Sequence, residues 1–273
     1  MTELFAVDQD CLDEFSEILD VALCDEEGLV AFLRGYIDES GIHDGAEITN
    51  VALVVSAPWR WRKWTKRWNF KKKPIQIYHS TDSANLRGEF KGWTKEGRDK
   101  LVADLLPEIG SMEYMAWVVG ADNRDIAVIS DEYPKFSEAV GSPYSFCLQI
   151  AIQKCLLYLD GAESTEMLAL IHEQNDYHQD ALRAFEWIRG PSSIHAPRDM
   201  TLTFASKKRA PPLQAADVFA YEGNKRMRNI GRTERRAWRA INPDRNKVQL
   251  DYFDMAGLRE WIALLEKAGV SLR

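Results

Sequence analysis

Leu29-Val30-Ala31-Phe32-Leu33-Arg34-Gly35-Tyr36-Ile37 is a mostly apolar run that closes on Asp38-Glu39-Ser40-Gly41. Nine residues suit a strand better than a helix, and a run apolar at both odd and even positions suits a strand covered on both faces. Two carboxylates then stand at the C-terminal end of an interior strand. Residues 47–56 (EITNVALVVS) read as a second strand, joined to the first as a hairpin through Gly41 and the polar His43-Asp44-Gly45. Further strands are expected at 73–78, 112–119, 167–171 and 200–205. Helices are expected at 94–109, opened by Thr94, at 143–159 and 177–188, and from Pro211-Pro212 to about residue 229, where proline is tolerated in the first turn. Hairpin strands followed by strands alternating with helices predict an α/β mixed sheet flanked by helices, with ligands at the C-terminal strand edges.

Outward from this body lie two appendages, giving an expected division into an arm (1–28), the α/β domain (29–240) and a C-terminal helical tail (241–273). The arm reads as an acidic amphipathic helix with Leu12, Phe15, Ile18 or Leu19, and Ala22 or Leu23 at three-to-four spacing. Residues 1–29 contain ten of the 42 acidic residues and no Lys or Arg, so residues 30–273 carry 35 basic against 32 acidic residues within a chain of net charge -7. The arm reads as a docking helix for a protein partner, or as a phosphate mimic covering a basic groove. The chain has 273 residues, 45% of them apolar. That is enough to build a core and excludes collagen-like, disordered and disulfide-knot classes. No apolar stretch approaches the roughly 18 residues of a membrane span, and the acidic start lacks a secretion signal, so a cytoplasmic location is expected. Cys11, Cys24, Cys147 and Cys155 form no C-x-x-C pair and read as reduced thiols.

Two basic tracts keep nucleic acid among the expected partners. Residues 59–73 hold eight Lys or Arg and no acid, with Arg60, Trp61, Arg62, Lys63 and Trp64 interleaved. Rings beside guanidinium groups suit single-strand stacking, and the competing reading is a helix whose tryptophans enter the core. Residues 207–239 hold ten basic against three acidic residues, including Lys208, Arg209, Lys225 and Arg226, candidates for phosphate contact. DNA and RNA are both open, as is a homo-oligomer.

The chemistry-bearing candidates are the acids at the expected strand ends, Asp38 with Glu39 and Glu173 with Asp176, and Asp217 inside the apolar stretch 215–219. Two carboxylates about 4 Å apart repel by roughly 4 kcal/mol at an effective dielectric near 20, so they must share a proton or hold a cation. An oxygen-only donor set suits Mg²⁺ or Mn²⁺. Such ions clamp the attacking and leaving oxygens of a phosphodiester displacement. Gln214 and Tyr221 share a helical face with Asp217. The competing readings are a strand-to-turn junction for 38–41, an arginine salt bridge for Asp217, and structural roles for His79 and His172.

Tyr36-Ile37-Asp38-Glu39-Ser40-Gly41 and Leu213-Gln214-Ala215-Ala216-Asp217-Val218-Phe219-Ala220-Tyr221 resemble the opening and closing motifs of the bacterial domain-of-unknown-function 3800 family. His79-Ser80-Thr81-Asp82, Gly88-Glu89-Phe90 and Phe204-Ala205-Ser206-Lys207 are similar to its intervening pattern, over Leu33 to Arg228. The resemblance implies an RNase H-like fold and a metal-dependent nuclease, with Asp38 as first-strand ligand and Asp217 as helix ligand. For the middle acid Glu173 fits best, with Asp176, Glu89 and Asp82 as alternatives. On this reading Asp38, Glu173 and Asp217 are catalytic metal ligands with Glu39 and Asp176 beside them, Gln214 and Lys207 assist, and the setting is a mobile-element or antiphage system.

Overall fold

The computed structural model describes residues 32–43, 45–190 and 199–267; the acidic arm, Cys11 and Cys24 lie outside them. β1 (Phe32–Ser40) and β2 (Ile48–Ser56) form the expected hairpin, pairing antiparallel from Arg34↔Ser56 to Ser40↔Asn50. Gly41 makes the turn possible. Its φ is +77°, and a Cβ there would lie 1.9 Å from the carbonyl oxygen of Ile48. β3 (Met115–Asp122) adds antiparallel to β2, β4 (Met167–Glu173) and β5 (Met200–Ala205) add parallel on the far side of β1, and β6 (Val248–Phe253) adds parallel to β3. The sheet order is β5-β4-β1-β2-β3-β6.

Both faces are covered, as the apolar runs demand. Ile37, Val51, Leu53 and Val119 face one core, roofed by α4 (Asn123–Glu132), α5 (Pro134–Val140), α6 (Pro143–Gly161), α7 (His178–Arg189) and α10 (Met255–Lys267). Tyr36, Ala52, Val54 and Val118 face the other, under α1 (Pro58–Lys71), α3 (Lys95–Gly110), α8 (Leu213–Met227) and α9 (Arg236–Ile241), with the short α2 (Ser80–Asn85) at the sheet's edge. α8 lies close because Gly223 meets Val118, where a Cβ would come within 2.4 Å of the valine methyl. Among the described residues no helix is long and apolar enough to cross a membrane, and Cys147 and Cys155 are buried and not joined in a disulfide.

Three expectations need correction. Residues 73–78 form no strand: Pro74 has no N–H to give a ladder, and the N–H groups of Gln76 and Ile77 donate instead to the Glu89 carboxylate, at 2.6 and 2.8 Å. Residues 241–267, the described part of the expected 241–273 tail, are not a helical tail outside the domain, because β6 completes the sheet and α10 packs Leu258 and Ile262 into the first core. The tryptophan tract is a core helix. Trp61, Trp64 and Trp68 recur at helical spacing, are at most 2% exposed, and pack edge-to-face and stacked on one another. Burying about 150–250 Å² per ring stabilises the fold by roughly 4–6 kcal/mol each at about 25 cal/mol per Å². Trp61 and Trp64 therefore have no ring face to offer a base.

Candidate metal centre

β1, β4 and β5 run parallel and finish at one edge of the sheet. The register Ile37↔His172 and Glu173↔Ala205 sets Asp38 beside Glu173, with Lys207 two residues beyond the end of β5. α8 crosses the same edge and lowers Asp217 from its second turn. Asp38 is 2% exposed, Lys207 4% and Asp217 5%. The Lys207 ammonium stands among three carboxylates, 2.8 Å from Asp38 Oδ2, 2.6 Å from Glu173 Oε2 and 3.4 Å from Asp217 Oδ1. One oxygen each of Asp38, Glu39 and Glu173 lies within 4.8 Å of the others, so these three can share one cation.

The carboxylates are only partly satisfied. Asp38 Oδ1 accepts the Glu39 N–H at 2.8 Å, while Oδ2 meets the ammonium as an ion pair. Glu39 Oε1 accepts from Asn175 Nδ2 at 2.6 Å; Oε2 is buried with no hydrogen-bond partner, 3.8 Å from His172 Nε2. Asp217 Oδ2 accepts the Ser80 N–H at 2.6 Å, and His79 Nε2 lies 3.7 Å from Oδ1. Burial first, then the neighbouring acids, hold the Asp38 carboxyl well above the carboxylate range against the opposing pull of Lys207. Burial and Glu173 push Glu39 up to about 8. Burial alone would lower the Lys207 pKa, but Asp217, Asp38 and Glu173 outweigh it and hold the ammonium charged. His172, fully buried, is pushed down to about 4 by burial; it bonds the Glu173 carbonyl and the Tyr144 hydroxyl and is a neutral structural histidine.

One ammonium serves a cluster of four carboxyl groups, touching three of them, and three ionised carboxylates within 4.8 Å would repel by on the order of 10 kcal/mol at a dielectric near 20. The site answers this by protonation and by Lys207. The buried, unpaired Glu39 Oε2 and the all-oxygen donor set also fit a hard divalent cation, so the residues present suit Mg²⁺ or Mn²⁺.

A cleft of about 400 Å³ opens from these acids past His43, His79, Tyr221, Lys225 and Arg228. Other sequence-predicted residues fall elsewhere. Asp176 is exposed in the turn after β4 and outside the cluster. Glu89 is spent on the backbone of 76–77, and Asp82 does not line the cleft. Gln214 is fully buried; it accepts from Trp68 Nε1 and Tyr78 N–H at 2.9 Å and donates to the Lys207 carbonyl at 3.0 Å, so it positions the Lys207 turn and cannot touch a substrate. Arg60 pairs with Glu113, and its neighbour Trp61 donates to the Arg34 carbonyl near the start of β1. Four residues separate Arg34 from Asp38, about 13 Å of strand. The 60–64 group therefore lies toward the opposite end of the sheet. Lys63 is exposed there and Arg62 half-buried. Lys208 and Arg209 are exposed on the turn beside Lys207, and Arg226 faces Glu234 at 3.7 Å. Arg228 and His43 were absent from the sequence candidates. Arg228 was findable, since Asp217, Tyr221, Lys225 and Arg228 follow at four, four and three residues along one helical face.

An antiparallel meander of three strands, extended beside its first strand by two parallel ones, sets the acidic end of β1 within the sheet. This is an α/β fold, a mixed six-stranded sheet flanked by helices. No family model matches the chain, and neither does any curated protein. Solved structures similar to this chain include a chain of the PCNA:RNase HII complex from Archaeoglobus fulgidus, at 14% identity and a TM-score of 0.39, covering 88% of this chain and 93% of that one. Bst-RNase HIII in complex with Mn²⁺ is similar at 13% identity and TM-score 0.39, over 90% of this chain and 58% of that one. A point mutant of Bst-RNase HIII gives 12% identity and TM-score 0.39 over 98% of this chain and 69% of that one.

Proposed function

We propose that this protein is a metal-dependent nuclease that hydrolyses phosphodiester bonds of nucleic acid. The observation that carries the reading is the convergence of Asp38, Glu39 and Glu173 oxygens within 4.8 Å at the edge where three parallel strands end, with Asp217 across the same ammonium. Asp38, Glu39 and Glu173 would hold a Mg²⁺ or Mn²⁺ ion, and Asp217, across the ammonium from them, would complete the site. Such an ion, when bound, polarises a phosphoryl oxygen and lowers the pKa of a water. Lys225 and Arg228 line the same cleft and would contact the substrate backbone. His79 faces the same cleft beside Asp217, and the half-buried Tyr221 closes its wall.

The test is cleavage of single- and double-stranded DNA, RNA and hybrids with Mn²⁺ by the wild type, Asp38→Asn and Asp217→Asn. Activity is expected in the wild type and at background in both variants; unchanged cleavage in both removes the proposal. A second reading, a nucleic-acid-binding subunit with a closed site, is favoured by the same ammonium that fills the acidic pocket. It requires salt-sensitive binding without cleavage in the wild type, with binding intact in Asp38→Asn.

A further inference from the structure

Lys207 does more than assist a set of acids. Its Nζ touches oxygens of two of the three groups that can share a cation, Asp38 and Glu173, and also faces Asp217. The side chain is 5% exposed, as deeply placed as Asp38 and Asp217, while that of Glu173 is 23% exposed. Its backbone is fixed: the Lys207 carbonyl accepts from Gln214, and Gln214 is held in turn by Trp68 and Tyr78. The tip, in contrast, borders the cleft of about 400 Å³ that contains Lys225, Arg228, His79 and Asn85. A pinned backbone beside an open cleft permits one movement, rotation of the alkyl stem outward. Meanwhile Glu39 Oε2 remains buried and unpartnered at the inner side, so the ammonium does not complete the site it fills.

We propose that the Lys207 ammonium is the resident cation of this centre, that a divalent ion enters by displacing it, and that the displaced side chain swings into the cleft as a contact for a phosphodiester. Lys207 then couples ion binding to polyanion binding. The positive charge released from the acids is the charge delivered to the phosphate, beside Lys225 and Arg228. This rests on the proposed metal-dependent reading of the site, and the experiment separates the two.

In the full-length wild-type protein, amine acylation read by peptide mass spectrometry should find Lys207 protected in EDTA and labelled at least about tenfold faster with saturating Mg²⁺, while Lys63 and Lys208, already exposed, label equally in both. Calorimetric titration with Mn²⁺ should show about tenfold or greater tightening in Lys207→Met, and weakening in Lys207→Arg, whose fork holds the carboxylates by more hydrogen bonds. If Lys207→Met folds only when Mn²⁺ is added, that ion-dependent melting is itself the expected result. Mn²⁺ bound by the wild type with Lys207 still protected, or with affinity indifferent to Lys207→Met, overturns the displacement and leaves the metal site standing. No Mn²⁺ bound by the wild type or by either variant overturns both.

Discussion

The ion-free site makes stability depend on pH in a way that Glu39→Gln should weaken. Glu39 is held near 8 in the folded chain against an ordinary value of 4.5, by burial and by Glu173. A raised acid contributes stability that is complete below the unfolded value and lost as pH climbs through the folded one. His172 acts oppositely. It titrates near 4 when folded and 6.5 when not, so stability rises with pH across that interval. Between about 4.5 and 6.5 the two slopes cancel. From about 6.5 to 8 Glu39 acts without that opposition, and at 1.36 kcal/mol per unit the wild type should lose roughly 2 kcal/mol. Asp38, raised by burial and its acidic neighbours, adds to the same trend. Urea unfolding in EDTA at four pH values between 6 and 8.5 measures it. The expected results are a falling wild-type midpoint, a flatter Glu39→Gln curve, and a wild-type curve that flattens when Mg²⁺ replaces EDTA. A wild-type midpoint constant over this range, or a Glu39→Gln curve parallel to it, would refute the account of a protonated, crowded carboxyl.

Other consequences are sharper in structure than in pH. Gly41→Ala forces a Cβ onto the Ile48 carbonyl at positive φ and should cost at least about 2 kcal/mol in urea unfolding, with loss of any metal binding in step. Trp64→Ala should destabilise by about 3–5 kcal/mol, so diminished nucleic-acid binding in that variant must track the unfolded fraction; a fully folded Trp64→Ala that no longer binds would restore the stacking interpretation. Lys225→Ala and Arg228→Ala should keep the wild-type melting temperature but each lower the log–log salt dependence of nucleic-acid binding by about 0.7–0.9; unchanged slopes in both would place the substrate elsewhere.

The parallel and antiparallel strands were readable because their apolar runs are long and bounded by polar turns, and Asp38 and Asp217 stood out as acids attached to such runs. Residues 73–78 misled because alternating Ile75 and Ile77 mimic a strand, while the deciding partner of their backbone is Glu89, a dozen residues away. The tryptophan tract offered two consistent readings; its period of three and four matches a helix, and only the packing against Tyr36 and Gln214 selects the core. β6 escaped notice because VQLDYF is half-buried at most positions and carries little periodic signal. The resemblance set Lys207 beside the acids as an assisting residue, but its position among three of them was not legible, because nothing local tells that a lysine after one strand will meet acids from two others and a helix. Convergence is a property of topology.

The pairing of β3 with β6 has a consequence for synthesis. Ala116 meets Val248 across 132 residues of chain, and at about 5–20 residues per second the ribosome needs roughly 7–26 s to deliver the partner. Throughout that interval β3, whose central residues Ala116–Ala121 are wholly buried in the finished protein, presents an unpaired apolar edge of the kind that seeds strand addition between chains. A nascent chain stalled before β6 should be the aggregation-prone species, so recombinant yield should respond to slow codons placed between residues 122 and 248 more than to those placed after.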